Sequence, residues 1–174
     1  MVPPKLRPGD TIAVFSPSSS VTATVPSRYL RGKAFLEAKG FRVVEGCLTG
    51  KQDGYRSGCI QERSKELNRL LRDPDVRCIM SAIGGYNSNA LLSYIDYDAI
   101  RADPKIIIGY SDVTALLLGI CVGANMVVAR RLGSGDKATN AAGFCSVCMR
   151  PRISFRESCV RAAANCGSCT VWRV

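Results

Sequence analysis

Short apolar runs alternate with amphipathic stretches along the first 120 residues. Residues 11–15, Thr-Ile-Ala-Val-Phe, form a β-branched and apolar run between Gly9-Asp10 and a Ser-Pro-Ser loop, which predicts a strand. Pro26-Ser27 then opens a helical pattern with Tyr29, Leu30, Ala34, Phe35 and Ala38 at helical spacing, and Gly40 ends it. Residues 41–44 read as the next strand, and a Gly-rich loop follows over 46–58. Residues 60–71 predict a second helix with Leu67, Leu70 and Leu71 on one side, broken by Asp73-Pro74-Asp75. Residues 76–83 predict a strand ended by Gly84-Gly85, and Asn87 or Ser88 can cap a short helix through Ala90, Leu91, Leu92 and Tyr94. Ile100 precedes a turn at Asp103-Pro104. Residues 105–109 are a continuous apolar strand of the fully buried kind, and residues 113–120 predict a helix.

This alternation implies an α/β domain with a doubly wound, mostly parallel sheet. Reactive groups in such sheets gather beyond the C-terminal ends of the strands. Three strand ends carry unusual residues: Ser16-Pro17-Ser18, Gly84-Gly85-Tyr86-Asn87-Ser88 and Gly109-Tyr110-Ser111-Asp112. Parallel strands bring all three to one edge.

Composition divides the chain in two. The net charge of +10 is unevenly spread: residues 1–120 hold sixteen Lys/Arg against twelve Asp/Glu, and residues 121–174 hold eight against two. Three cysteines fall in residues 1–120 and six in residues 121–174. The expected organisation is therefore an α/β domain over 1–120 and an atypical Cys/Arg-rich tail over 121–174. No apolar run reaches the ~18 residues of a membrane span, and the first residues lack a signal-peptide pattern. The expected setting is cytoplasmic, without a membrane or nucleic-acid partner.

A serine attacks a carbonyl only if it is exposed, has a base to take its proton and has donors for the developing oxyanion. Ser111 lies where a buried strand turns into a helix, and the free N–H groups of a helix start favour negative charge. The local pattern Gly-Tyr-Ser-Asp-Val lacks the second glycine of the Gly-x-Ser-x-Gly elbow. Two readings stay open on these residues alone: Ser111 as nucleophile, or Ser111 as a helix cap. Gly84-Gly85 is likewise either a loop needing positive φ or a backbone that approaches a substrate closely. The Asn87-Ser88-Asn89 cluster suits substrate binding or a cap.

Read together, the pieces are more specific. Leu6-Arg7-Pro8-Gly9-Asp10-Thr11-Ile12-Ala13-Val14, Ile83-Gly84-Gly85-Tyr86-Asn87-Ser88-Asn89-Ala90-Leu91-Leu92, Tyr94-Ile95-Asp96-Tyr97-Asp98 and Pro104-Lys105-Ile106-Ile107-Ile108-Gly109-Tyr110-Ser111-Asp112 resemble the serine LD-carboxypeptidase family, most of all its microcin C immunity branch. The likeness covers roughly residues 5–120. It implies a flavodoxin-like or glutamine-amidotransferase-like N-terminal domain, with Ser111 as nucleophile and the N–H groups of Gly85 and Asp112 as oxyanion hole. Gly84, Asn87 and Ser88 become substrate-binding candidates. It also implies a cytoplasmic, homodimeric hydrolase that needs no metal or organic cofactor. The substrate would be a murein peptide or an aminoacyl- or peptidyl-nucleotide.

The family's base is a His supported by a Glu, both from a C-terminal domain. This chain has no histidine. The expectation is a truncated form, nearly or wholly inactive by itself; Lys137 and Glu157 are available substitutes that no spacing recommends. Cys145-x2-Cys148 and Cys166-x2-Cys169, with 17 residues between, fit zinc-ribbon spacing. The competing reading of the tail is a frameshift near 121–130. The alternative function is a non-catalytic α/β binding module with a zinc-bearing basic tail.

Overall fold

The computed structural model describes residues 2–124 and 129–130. The chain divides into a unit Met1–Asp136 and a unit Lys137–Val174, and every described residue lies in the first. Cys145, Cys148, Cys159, Cys166 and Cys169, together with Lys137 and Glu157, lie outside the described residues.

Strand β1 is Thr11–Phe15, all five residues buried. A four-residue helix α1 (Val21–Thr24) and helix α2 (Pro26–Ala38) lead to strand β2, Arg42–Glu45. Helix α3 (Ile60–Arg72) leads to strand β3, Val76–Ser81. A 3₁₀ helix over Ser88–Tyr94 and helix α4 (Tyr97–Ala102) precede strand β4, Ile106–Gly109. Helix α5 (Val113–Ala124) leads to a two-residue strand β5, Ala129–Arg130.

The sheet has the order β2-β1-β3-β4-β5, and every pairing is parallel. The chain leaves β1 toward β2 on one side and returns to β3 on the other. The switch point therefore lies between β1 and β3, where doubly wound sheets open a crevice beyond the strand ends. The sheet also runs past residue 120, because β5 pairs with β4 through Ile108 and Ala129. The α/β unit thus extends beyond the boundary expected from composition.

The core joins β1, β3 and β4 to α3, α4 and α5 through Phe15, Leu67, Leu70, Ile79, Ile107 and Leu116, among others. Each such side chain contributes about 1.5–3 kcal/mol by leaving water. The helix expected after Pro26 forms, but its apolar positions are not covered. The apolar positions of α2 follow helical spacing, yet α2 buries no residue, and Leu30 and Phe35 are exposed. A second difference is α4: its turn is fixed by Asp96, whose side chain accepts from the Ala99 N–H, and it buries Ile100.

Two charged residues share the inner stripe of α3. A capping box between Cys59 and Glu62 sets the helix start. That phase turns Arg63 and Glu66 inward beside Leu67, Leu70 and Leu71. Glu66 accepts the Leu48 N–H at 2.7 Å through one oxygen, and its other oxygen is buried without a partner. Burial, outweighing the Leu48 bond, raises its pKa above the ordinary 4.5.

The raised pKa fixes a pH dependence. The folded chain holds the Glu66 proton more tightly than the unfolded chain does. Stability is therefore lost as pH rises from the ordinary carboxylate range through the raised value. Glu66→Gln keeps an acceptor for Leu48 and removes the ionisation. Its urea midpoint is expected to match the parent near pH 4 and to exceed it at neutral pH. Parallel curves for the two proteins across that range would contradict a buried, reluctantly charged Glu66.

Candidate functional site

The site forms where the chain leaves β1, β3 and β4 at their C-terminal ends. After β4, the backbone turns at Tyr110 and enters α5. Ser111 sits on this turn with φ of 58°, one of two non-glycine residues with positive φ among the described residues. Left-handed backbone is disfavoured by roughly 1–2 kcal/mol for a residue with a Cβ, so the surroundings must hold it. They do so through the helix start: the Thr114 N–H donates to the Ser111 carbonyl at 2.9 Å, and the Ala115 N–H donates to the Asp112 carbonyl at 3.0 Å.

The turn leaves Ser111 exposed. Its hydroxyl has no hydrogen-bond partner among the described residues. A serine cap has extended backbone and spends its hydroxyl on a helix N–H. Ser111 does neither, so it is not a conventional helix cap.

Gly84 and Gly85 lie against this turn. A Cβ at Gly84 would stand 2.7 Å from the Ser111 Cβ and 3.0 Å from its hydroxyl oxygen, so only glycine admits the serine side chain there. Gly85 has φ of 147°, and a Cβ on it would collide with Ser19. Neither the Gly85 N–H nor the Asp112 N–H meets a protein acceptor among the described residues. Two backbone donors therefore remain available beside Ser111.

Asp112 ties the loops together. Its carboxylate accepts the Ser18 hydroxyl at 2.5 Å and the Ser88 N–H at 2.9 Å. The Ser88 hydroxyl donates to the Asp112 carbonyl at 2.9 Å. The Ser19 N–H donates to the Gly84 carbonyl at 3.3 Å, which joins the loops after β1 and β3 a second time. Ser88 is fully buried, with both its donors directed at Asp112, so it braces the turn instead of facing open space.

Asn87 is exposed, with φ of 67°, and occupies the cap position of the 3₁₀ helix without a capping bond from its side chain. Its amide donates to the Tyr55 hydroxyl at 2.5 Å. Tyr55 meets Tyr86 edge to face at 6.4 Å, with the Arg56 guanidinium 5.3 Å from the Tyr55 ring centre. Tyr86 is 73% exposed, so an aromatic surface stands next to Gly85. Tyr55 and Arg63 carry no site signal in the sequence, whereas Tyr86 lies in the unusual strand end after residue 83. Only their places in a loop and on an amphipathic helix mark Tyr55 and Arg63, and that does not separate site from scaffold.

The strain at Ser111 gives a direct expectation. Ser111→Gly relieves the left-handed penalty and should stabilise the folded chain by about 1 kcal/mol, whereas Ser111→Ala should leave it unrelieved. Urea denaturation of both variants checks this. Equal stabilities for Gly and Ala at this position would show that the turn is not strained.

The chain is similar to several known proteins over its described part. Residues 12–130 match the LD-carboxypeptidase N-terminal domain of peptidase family S66. A Vibrio cholerae protein named "Putative carboxypeptidase" is 70% identical over 112 residues, 64% of this chain and 34% of that protein. The microcin C7 self-immunity protein MccF of Escherichia coli is 61% identical over 115 residues, 66% of this chain and 33% of that protein. The structure of MccF in complex with aspartyl sulfamoyl adenosine superposes with a TM-score of 0.82 at 45% identity, covering 88% of this chain and 48% of that one. The chain thus spans about a third of the length of these curated relatives.

Proposed function

Because the chain belongs to the LD-carboxypeptidase family, we propose that it carries the nucleophile half of a serine hydrolase, with Ser111 as the attacking residue. One observation carries this reading: an exposed serine with unpartnered hydroxyl, held in left-handed backbone at the end of β4 and facing Gly84. The Ser111 oxygen attacks the carbonyl carbon of an amide and gives its proton to a base. The carbonyl oxygen becomes an oxyanion, which the Gly85 and Asp112 N–H groups receive. Collapse expels the amine, which takes the proton, and water then releases the acyl group from Ser111. Gly84 keeps the approach to Ser111 open, and Asn87 and Tyr86 border the entering substrate.

The substrate we favour is an aminoacyl- or peptidyl-nucleotide. Its support is the sulfamoyl nucleotide bound by MccF and the 61% identity to that protein. A murein peptide is the competing substrate. With no histidine in the chain, the imidazole base of such a site comes from elsewhere, and the chain alone is inactive.

A chimera tests the assignment. Residues 12–130 of this chain replace the matching segment of the E. coli immunity protein. The chimera is expected to hydrolyse an aminoacyl-nucleotide in preference to a murein tetrapeptide, and Ser111→Ala in it should lower kcat by roughly 10³-fold or more. Full activity in that variant would remove Ser111 from the role. Hydrolysis by the isolated chain would remove the need for an outside base.

The binding-module alternative rests on Cys145, Cys148, Cys166 and Cys169. Metal analysis of the purified chain is expected to show no stoichiometric zinc. One zinc per chain would favour the module instead.

A further inference from the structure

Arg63 is fully buried, yet among the described residues no carboxylate pairs with it. Its Nε donates to the Gly58 carbonyl at 3.0 Å and its Nη1 donates to the Pro17 carbonyl, while Nη2 is buried without a partner. Burying a guanidinium is costly, and burial is the main cause that lowers its pKa. Apolar packing on α3 would be served better by another leucine. The arginine therefore needs a reason beyond the core.

Its two bonds give one. Gly58 ends the long loop after β2, and Pro17 lies in the loop after β1. One planar group fixes both, and the Ser57 hydroxyl reinforces the junction by donating to the Ser16 carbonyl at 2.7 Å. The next residue after Pro17 is Ser18, fully buried, whose hydroxyl reaches Asp112. Asp112 in turn holds the Ser88 N–H. Ser19 holds Gly84, which touches Ser111.

We propose that Arg63 is a positioning residue: by clamping Pro17 and Gly58 it sets the Ser18–Asp112–Ser88 bonds and so the placement of Ser111 and its oxyanion donors. Its catalytic consequence rests on the nucleophile reading of Ser111. The placement itself does not, because it is visible in hydrogen exchange whether or not Ser111 reacts.

The test is residue-resolved amide exchange by NMR on the full chain. Arg63→Met should accelerate exchange at the Ser19 and Ser88 amides by about tenfold, the effect of weakening one hydrogen bond in each loop, and leave the Ile79 and Ile107 strand amides unchanged. Ser18→Ala should accelerate Ser88 alone and spare the Arg63 amide, which donates to Cys59. Arg63→Lys keeps the charge but not the fork, and should accelerate Ser19 and Ser88 to a lesser degree. Should the Met variant fail to fold, the Lys variant decides by the same two amides. Acceleration confined to residues 57–63, or uniform across the sheet, would reduce Arg63 to a local packing role and overturn the proposal.

Discussion

The Asp112 carboxylate accepts one hydrogen bond from the loop after β1 and another from the loop after β3, while its own residue belongs to the turn after β4. Three strand ends are thereby fixed to one another by a single side chain. The constraint is geometric before it is energetic. Loops at the edge of a sheet are ordinarily its most mobile parts, but a nucleophile and its oxyanion donors must keep their separation to a fraction of an ångström. Bonding the loops to one acceptor passes the rigidity of the sheet to groups that lie outside it. Ser111 can then persist at positive φ, a conformation its own backbone disfavours.

The topology makes that convergence possible. With the order β2-β1-β3-β4-β5, β1 and β3 are neighbours and β4 lies beside β3. The loops that must meet are consecutive along the sheet edge, so short side chains such as Ser18 and Asp112 span the gaps. The opposite edge is secured separately. Lys105, at the foot of β4, donates to the Asp73 and Val76 carbonyls and pairs with Asp103 at 2.6 Å. The strand that presents Ser111 is thus held at its entry as well as its exit.

Much of this was legible in the sequence. The strands over 11–15, 76–81 and 106–109 declare themselves through β-branched and apolar runs, and the serine turn follows from a buried strand meeting a helix. What stayed hidden has physical causes. Helical spacing in α2 marks one side of the helix but cannot say whether anything covers it, and Leu30 remains in solvent. Substrate binding and capping both stay open for Ser88 in the sequence, because a serine in a Gly/Asn loop gives no hint of its direction; its bonds to Asp112 exist only in three dimensions. Arg63 and Glu66 look like the solvent face of a helix until the capping box fixes the phase of α3 and turns them inward. The end of the α/β unit was placed too early because composition changes at residue 121, whereas pairing of β5 with β4 carries the sheet further.

A serine protease-like site divides naturally into two tasks: placing the nucleophile among oxyanion donors, and moving its proton. In the proposed reading, the described residues address the first with backbone N–H groups, serine hydroxyls and the Asp112 carboxylate that bonds the loops together. The second demands a group that titrates near neutrality, for which histidine is the usual solution and which this chain lacks. The two tasks are strongly non-additive, since an oriented serine without a base and a base without an oriented serine each retain little of the joint rate. A chain that performs only the first task can therefore keep its fold, its turn strain and its loop bonding intact and still show almost no chemistry. The preserved geometry around Ser111 is evidence about how the site is built, and the rate is decided by whichever group stands opposite it.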